Sequence, residues 1–317
     1  MEHLVECVPN FSEGKDQAVI NQITQPILDE SGVSLLDVDM GADFNRTVVT
    51  MVGDPEKVLK TVIECTRIAT RIIDMRNHKG EHARMGAVDV VPFIPISGIT
   101  MDQCVSLSKR YAETVSQELD LPVFLYAEAA TNPNRVNLPN IRRGEYEGME
   151  EKLSNPDWAP DFGPAEFKPK MGVTATGARQ ILIAYNVNLD TDVKAKANSI
   201  AARIRTSGSL VKDENGEKIL GDDGKPLRKP GLFKSLQAAG WMYDESTAQV
   251  SMNLLDFSVT GLHDVTEAIR NEAKVMGLNA TAGELVGLVP LEAMLSAGRW
   301  YEDNDEDADH ILLVQKA

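Results

Sequence analysis

Thr47-Val48-Val49-Thr50-Met51-Val52-Gly53-Asp54-Pro55-Glu56 decides the architecture. A β-branched run ends in Gly-Asp-Pro, and an aspartate followed by proline is a helix start, because the first turn has no use for proline's missing N–H. From Glu56 onward Val58, Val62, Cys65, Ala69 and Ile72 keep helical spacing to about Asp74. Upstream, residues 33–38 form another apolar, β-prone run that ends in Asp37 and Asp39. Two strands adjacent in sequence are therefore followed by one helix. A purely parallel α/β sheet does not read that way.

The alternation continues on both sides. Residues 4–8 are a short strand that enters the turn-rich loop Pro9 to Gly14, and Asp16 caps a helix to about Asp29, with Pro26 weakening its last turn. Residues 88–96 read as a buried strand, 101–119 as a helix and 123–126 as a strand. Further on, strands are expected at 180–186, 248–255 and 284–289, and helices at 191–205 and 263–276, with a last helix opened by Pro290. Single helices between strands, together with the adjacent strand pair, predict an α/β (α+β) class. The expected architecture is two ferredoxin-like split β-α-β subdomains with a ligand groove between them. The aperiodic stretch 155–170, with Pro156, Pro160, Pro164 and Pro169, places the expected division at 1–165 and 166–317. Residues 208–230 read as an exposed hairpin or flexible excursion, and 302–307 as an acidic solvated run.

Composition narrows the class. A chain of 317 residues exceeds one comfortable core. A net charge of −16 argues against a broad nucleic-acid or anionic-membrane surface, since phosphate needs a basic face. A small anionic ligand would need a local basic pocket. Cys7, Cys65 and Cys104 are far apart and odd in number, which suits buried free thiols better than disulfides or a metal framework. The first residues carry acids where a signal peptide needs a basic region, and no apolar run approaches the ~18 residues of a membrane span. A cytoplasmic protein is expected.

His78-Lys79-Gly80-Glu81-His82 matches the H-x-x-E-H pattern of zinc hydrolases, which need both histidines on one helical face. Gly80 disfavours that helix, and the following Gly86 to Val91 reads as a strand. A loop flanked by Arg76, Lys79 and Arg84 is expected instead, and His82 on it is the candidate for proton transfer. His3, His263 and His310 are left with surface or capping roles. Asp37 and Asp39 share a strand face beside Asn45 and Arg46, where they can orient an imidazole, bind a cation or simply cap turns. Arg142-Arg143-Gly144 reads as a carboxylate grip or, more often for such a pair, as solvated charge. Gly163-Pro164-Ala165-Glu166-Phe167-Lys168-Pro169-Lys170-Met171-Gly172 is either a rigid, basic-tipped ligand loop or a linker.

Taken together, several ordered blocks resemble the formiminotransferase domain family. They are Cys7-Val8-Pro9-Asn10-Phe11-Ser12-Glu13-Gly14, Asn45-Arg46-Thr47, His82-Ala83-Arg84-Met85-Gly86-Ala87-Val88-Asp89 and Arg142-Arg143-Gly144-Glu145-Tyr146-Glu147-Gly148. Asp161-Phe162-Gly163-Pro164-Ala165, Ala184-Tyr185-Asn186-Val187-Asn188-Leu189, Gln249-Val250-Ser251-Met252-Asn253-Leu254 and Glu284-Leu285-Val286-Gly287-Leu288-Val289-Pro290 continue the pattern. The resemblance implies transfer of a formimino group from N-formimino-L-glutamate to N5 of tetrahydrofolate, in histidine degradation and one-carbon metabolism. It implies His82 as general acid/base with Asp39 beside it, folate held along Gly163 to Gly172, and a homodimer. Arg46 and Arg84 are the candidates for substrate carboxylates. Tetrahydrofolate enters as co-substrate, and no metal is expected. The chain is expected to hold no cyclodeaminase domain, so a separate formiminotetrahydrofolate cyclodeaminase would take the product. Alternative readings are a glutamate formyltransferase using 5-formyltetrahydrofolate, a formiminoglycine-specific relative, a zinc hydrolase, or a folate-binding protein without activity.

Overall fold

Side chains placed by sequence alone cap the helices. Asp54 accepts from the N–H of Glu56 and Lys57, and Asp16 accepts from Ala18 and Val19. Thr100 and Gln103 form a reciprocal capping box. Pro26 lies inside the first long helix without ending it. All three cysteines are buried free thiols.

The computed structural model describes residues 3–80, 83–221, 224–304 and the backbone of 314–316. Two units divide at Arg179 and Gln180. The first contains β1 (Leu4–Cys7), β2 (Asn10–Phe11), α1 (Gln17–Asp29), β3 (Val33–Gly41), β4 (Arg46–Gly53), α2 (Pro55–Ile72) and β5 (Val88–Ser97). There follow α3 (Met101–Leu119), β6 (Val123–Ala127), the short α4 (Leu138–Arg142) and α5 (Met149–Ser154), and β7 (Thr174–Ala178). Its sheet runs β1-β4-β2-β5-β7-β6, with β3 on the outer side of β4 and β1 also bonded to β5. The inner order, β3-β4-β1/β2-β5, is the split β-α-β arrangement. β7 then pairs parallel to both β5 and β6.

Residues 155–170 therefore lie inside the first unit, because β7 comes after them and closes its sheet. The expected division at 165/166 sits ahead of this strand, whereas the units part at 179/180. β7 gave little signal. Its residues are small, Thr174 and Thr176 satisfy their hydroxyls on Val88 and Val91 carbonyls, and Gly177 permits close approach to Tyr126.

One face of this sheet packs against α1, α2 and α3 around Phe11, Ile23, Met51, Val62 and Tyr111. Part of the other face is covered by α4 and α5, through Ile141 and Met149 against Val90 and Phe124. β3 and β4 are left to present Asp39, Arg46 and Val48 on that second face, since Asp39 stands opposite Val48.

The second unit contains β8 (Ile183–Leu189), α6 (Lys194–Ile204), β9 (Ser209–Leu210), β10 (Arg228–Lys229), β11 (Leu236–Met242) and β12 (Ala248–Leu254). It continues with α7 (Leu262–Val275), β13 (Ala280–Val286), α8 (Leu291–Asn304) and β14 (Val314–Lys316). The sheet order β11-β12-β8-β13-β14 repeats the plan of the first unit. In each unit the fourth core strand gains a parallel neighbour from later in the chain, β7 on β5 and β14 on β13. Helices α6, α7 and α8 share one core with β8, β11 and β12 around Tyr185, Ile200, Val250 and Ile269. Among its described residues the 208–230 excursion forms a narrow ribbon in which β9 pairs antiparallel with β10.

Candidate active site

Loop 78–84 is held at both ends. On one side stands Asn45, in left-handed conformation at the β3–β4 turn. Asparagine tolerates this conformation better than most residues. Its Oδ1 accepts from Gly14 N at 3.0 Å and its Nδ2 donates to Lys79 O at 2.8 Å. One buried side chain thus ties the opening loop, the hairpin turn and the histidine loop together. Gly80 lies so close to the same turn that a Cβ there would sit 2.3 Å from the Phe44 carbonyl oxygen.

On the other side Arg84, nearly buried, donates through NH1 to Glu145 at 2.9 Å and Glu147 at 3.0 Å, and its NH2 also meets Glu147. These carboxylates and neighbouring charges hold the Arg84 guanidinium above its ordinary value although burial opposes them. Arg84 Nε also donates to His78 Nδ1 at 3.3 Å. Arginine cannot accept, so His78 Nδ1 carries no proton and Nε2–H donates to the Asn45 carbonyl at 2.8 Å. Burial, ahead of the Arg84 cation, pushes the His78 pKa down. His78 is therefore a neutral structural ring with both nitrogens spoken for, and a metal would find no lone pair on it. Among the described residues no cluster of His, Cys, Asp and Glu suits a metal. Between residues 75–80 with Arg84 on one side and residues 144–147 on the other lies an open cavity of about 670 Å³ lined by Arg76, His78, Gly80, Arg84 and Tyr146.

Of the residues predicted from sequence, His82 and its neighbour Glu81 lie outside the described residues. The expected folate loop, Gly163 to Gly172, runs beside the histidine loop. Met75 N donates to Lys170 O at 3.0 Å, Ala87 N to Met171 O at 2.8 Å and Tyr146 OH to Pro169 O at 2.6 Å. Gly163 and Gly172 both adopt positive φ, and a Cβ on either would strike backbone, Leu121 O at 2.4 Å and Met85 O at 2.2 Å. Within the loop Lys168 pairs with Glu166 at 3.2 Å, and Phe167 packs on Tyr146 with ring centroids 5.2 Å apart.

Asp39 is exposed on the open sheet face. Arg46 shares that face, and its pKa is lowered, first by burial and next by the Arg142 cation, while Asp89 and Asp39 act the other way. Arg142 is not a solvated charge. Its Nε donates to Asp89 Oδ2 at 3.0 Å, and Asp89, with a side chain 1% exposed, also accepts from Met85 N at 2.9 Å. The carboxylate that Arg142 grips is the chain's own Asp89, whereas the Glu145–Arg84–Glu147 bridge and the pivotal place of Asn45 were not anticipated. Their only trace in the sequence was the bunching of charge in Arg142 to Glu147.

The chain belongs to the formiminotransferase domain family. Residues 4–179 match its N-terminal subdomain and residues 184–313 match the formiminotransferase domain that follows. Among its relatives is formimidoyltransferase-cyclodeaminase of Rattus norvegicus, 49% identical over 96% of this chain and 54% of that protein. The Dictyostelium discoideum protein of the same name is 47% identical over 100% of this chain and 56% of its own. The chain thus spans about half the length of these two relatives. Glutamate formimidoyltransferase of Streptococcus pyogenes serotype M1 is 43% identical over 95% of this chain and 94% of that protein.

Proposed function

We propose that this chain transfers the formimino group of N-formimino-L-glutamate to N5 of tetrahydrofolate, giving L-glutamate and 5-formiminotetrahydrofolate. The observation that carries this reading is the similarity to the streptococcal glutamate formimidoyltransferase over nearly the full length of both chains. In the reaction N5 attacks the amidine carbon, and the tetrahedral adduct collapses as the C–N bond to glutamate breaks. N5 must lose a proton and the departing nitrogen must gain one. His82 is assigned both transfers, a role that contributes ~10²–10⁴-fold. Holding the two substrates in register supplies much of the rest.

Asp39 is assigned to the amidinium or to the orientation of His82. The segment Gly163 to Gly172 is assigned to folate, a role consistent with its place beside the histidine loop. For the substrate carboxylates Arg46 and Arg84 are the candidates. Arg84 already divides its fork between Glu145 and Glu147 and would have to exchange a partner. No step is assigned to a metal, so dialysis against a chelator is expected to leave the rate unchanged. We further assign the protein to the cytoplasm as a homodimer, its product passing to a cyclodeaminase.

Purified protein mixed with tetrahydrofolate and formiminoglutamate tests the reading. Release of free glutamate together with a changed pterin spectrum is expected. Faster turnover of 5-formyltetrahydrofolate with glutamate, or no reaction with either pair, would overturn it.

A further inference from the structure

Three sequence blocks from distant parts of the second unit converge at one carboxylate. Glu284 on β13 stands opposite Asn186 on β8, and Asn188 on β8 stands opposite Gln249 on β12. All four side chains project from the face of the sheet away from α6 and α7, because Tyr185, Val187 and Val250 alternate with them into the core. Asn186 Nδ2 donates to Glu284 Oε2 at 3.0 Å, and Gln249 Nε2 donates to the same oxygen at 2.8 Å. Gln249 Nε2 spends its second hydrogen on Asn188 Oδ1 at 2.9 Å. Gln249 is 2% exposed, so this orientation is built into the sheet.

Among the described residues no lysine, arginine or histidine pairs with Glu284, so its half-buried carboxylate is held by neutral carboxamides. Oε2 is saturated by two N–H donors, whereas Oε1 accepts nothing among the described residues. The result is a fixed anion with one oxygen held in place and the other open, on a face that also carries Ser251, Asn253 and Gln237.

We propose that Glu284, oriented by Gln249 and Asn186, accepts through its open Oε1 an N–H of a planar N–C–N edge. Two ligands share that chemistry, the 2-amino/N3–H edge of a pterin and the amidine of a formimino donor. The choice between them rests on the proposed function, but the site itself does not. Calorimetric titration of the whole protein with tetrahydrofolate and with formiminoglutamate separates the two, comparing wild type with Glu284→Gln. A charge-assisted hydrogen bond predicts an affinity loss of about tenfold or more for one ligand. Loss confined to tetrahydrofolate assigns the pterin, and loss confined to formiminoglutamate assigns the amidine. Asn186→Ser, which keeps the carboxylate but frees it, is expected to lose affinity for the same ligand by a few-fold, and it serves if Glu284→Gln fails the thermal-melt control. Affinities within twofold of wild type for both ligands in both variants overturn the proposal. If wild type binds neither compound, the transfer reading falls instead. Formamidinium and 2-amino-4-hydroxypteridine, followed by NMR, then decide the site: Glu284-dependent shifts support it, and their absence overturns it.

Discussion

The two histidines of H-x-x-E-H have parted company. His78 serves the scaffold as a neutral ring between Arg84 and the Asn45 carbonyl, which leaves His82 as the proton carrier of the proposed reaction. His82→Ala is expected to lower kcat about a hundredfold or more with little change in folate affinity. Steady-state kinetics on folded protein check this, and near-normal turnover would remove His82 from the mechanism. Asp39→Asn is expected to slow transfer as well, and unaltered kinetics would reduce Asp39 to a surface residue. His78 makes a separate prediction. Its pKa in the folded protein is pushed below the ordinary 6.5, so the unfolded chain binds the proton at higher pH than the folded one. Its contribution to stability is present above about 6.5 and is lost as pH falls from there towards the depressed value. Urea midpoints between pH 7.5 and 5.5 should therefore fall more steeply for wild type than for His78→Gln. Equal slopes would show that the ring titrates alike in both states.

Turns and loops set the site. The β3–β4 turn meets the histidine loop through Asn45, and each hydrogen bond of that kind is worth ~1 kcal/mol net. Asn45→Ala removes both bonds and puts a less tolerant residue at positive φ, so a loss of about 2–3 kcal/mol is expected in urea unfolding. Gly80→Ala tests position rather than stability. A Cβ would press on Phe44 O, forcing the loop outward, and displacement of about 1 Å at a reacting group costs on the order of 10²-fold in rate. Activity should drop at least tenfold while the melting temperature barely moves. Retained activity would mean that the loop adjusts without consequence for the site.

Across the chain the same core strand order is built twice, and each copy packs its long helices on one sheet face. The opposite faces carry the polar residues from which the site and the Glu284 cluster are assembled. The ribbon at 208–230 buries little, with Lys218, Lys225 and Arg228 exposed. Limited trypsin digestion followed by mass spectrometry should cut there before cutting either sheet. First cuts inside β8 or β12 would contradict that description.

Much of the secondary structure was legible in advance. Helices at Pro55–Ile72 and Met101–Leu119 were read from caps and spacing, because those signals act over three or four residues. β7 and β11 were missed, since Thr174–Ala178 and Leu236–Met242 are small or mixed in character and become strands through the partners they find. The histidine loop and its basic flanks could also be picked out from the chain. Their supports could not. Asn45 reaches Lys79 across 34 residues, Arg142 reaches Asp89 across 53, and Asn186 reaches Glu284 across 98. Residue order records which side chains are available and how each segment bends. Which of them neutralise, orient or abandon one another depends on distances through space, and those exist only once the sheets have formed.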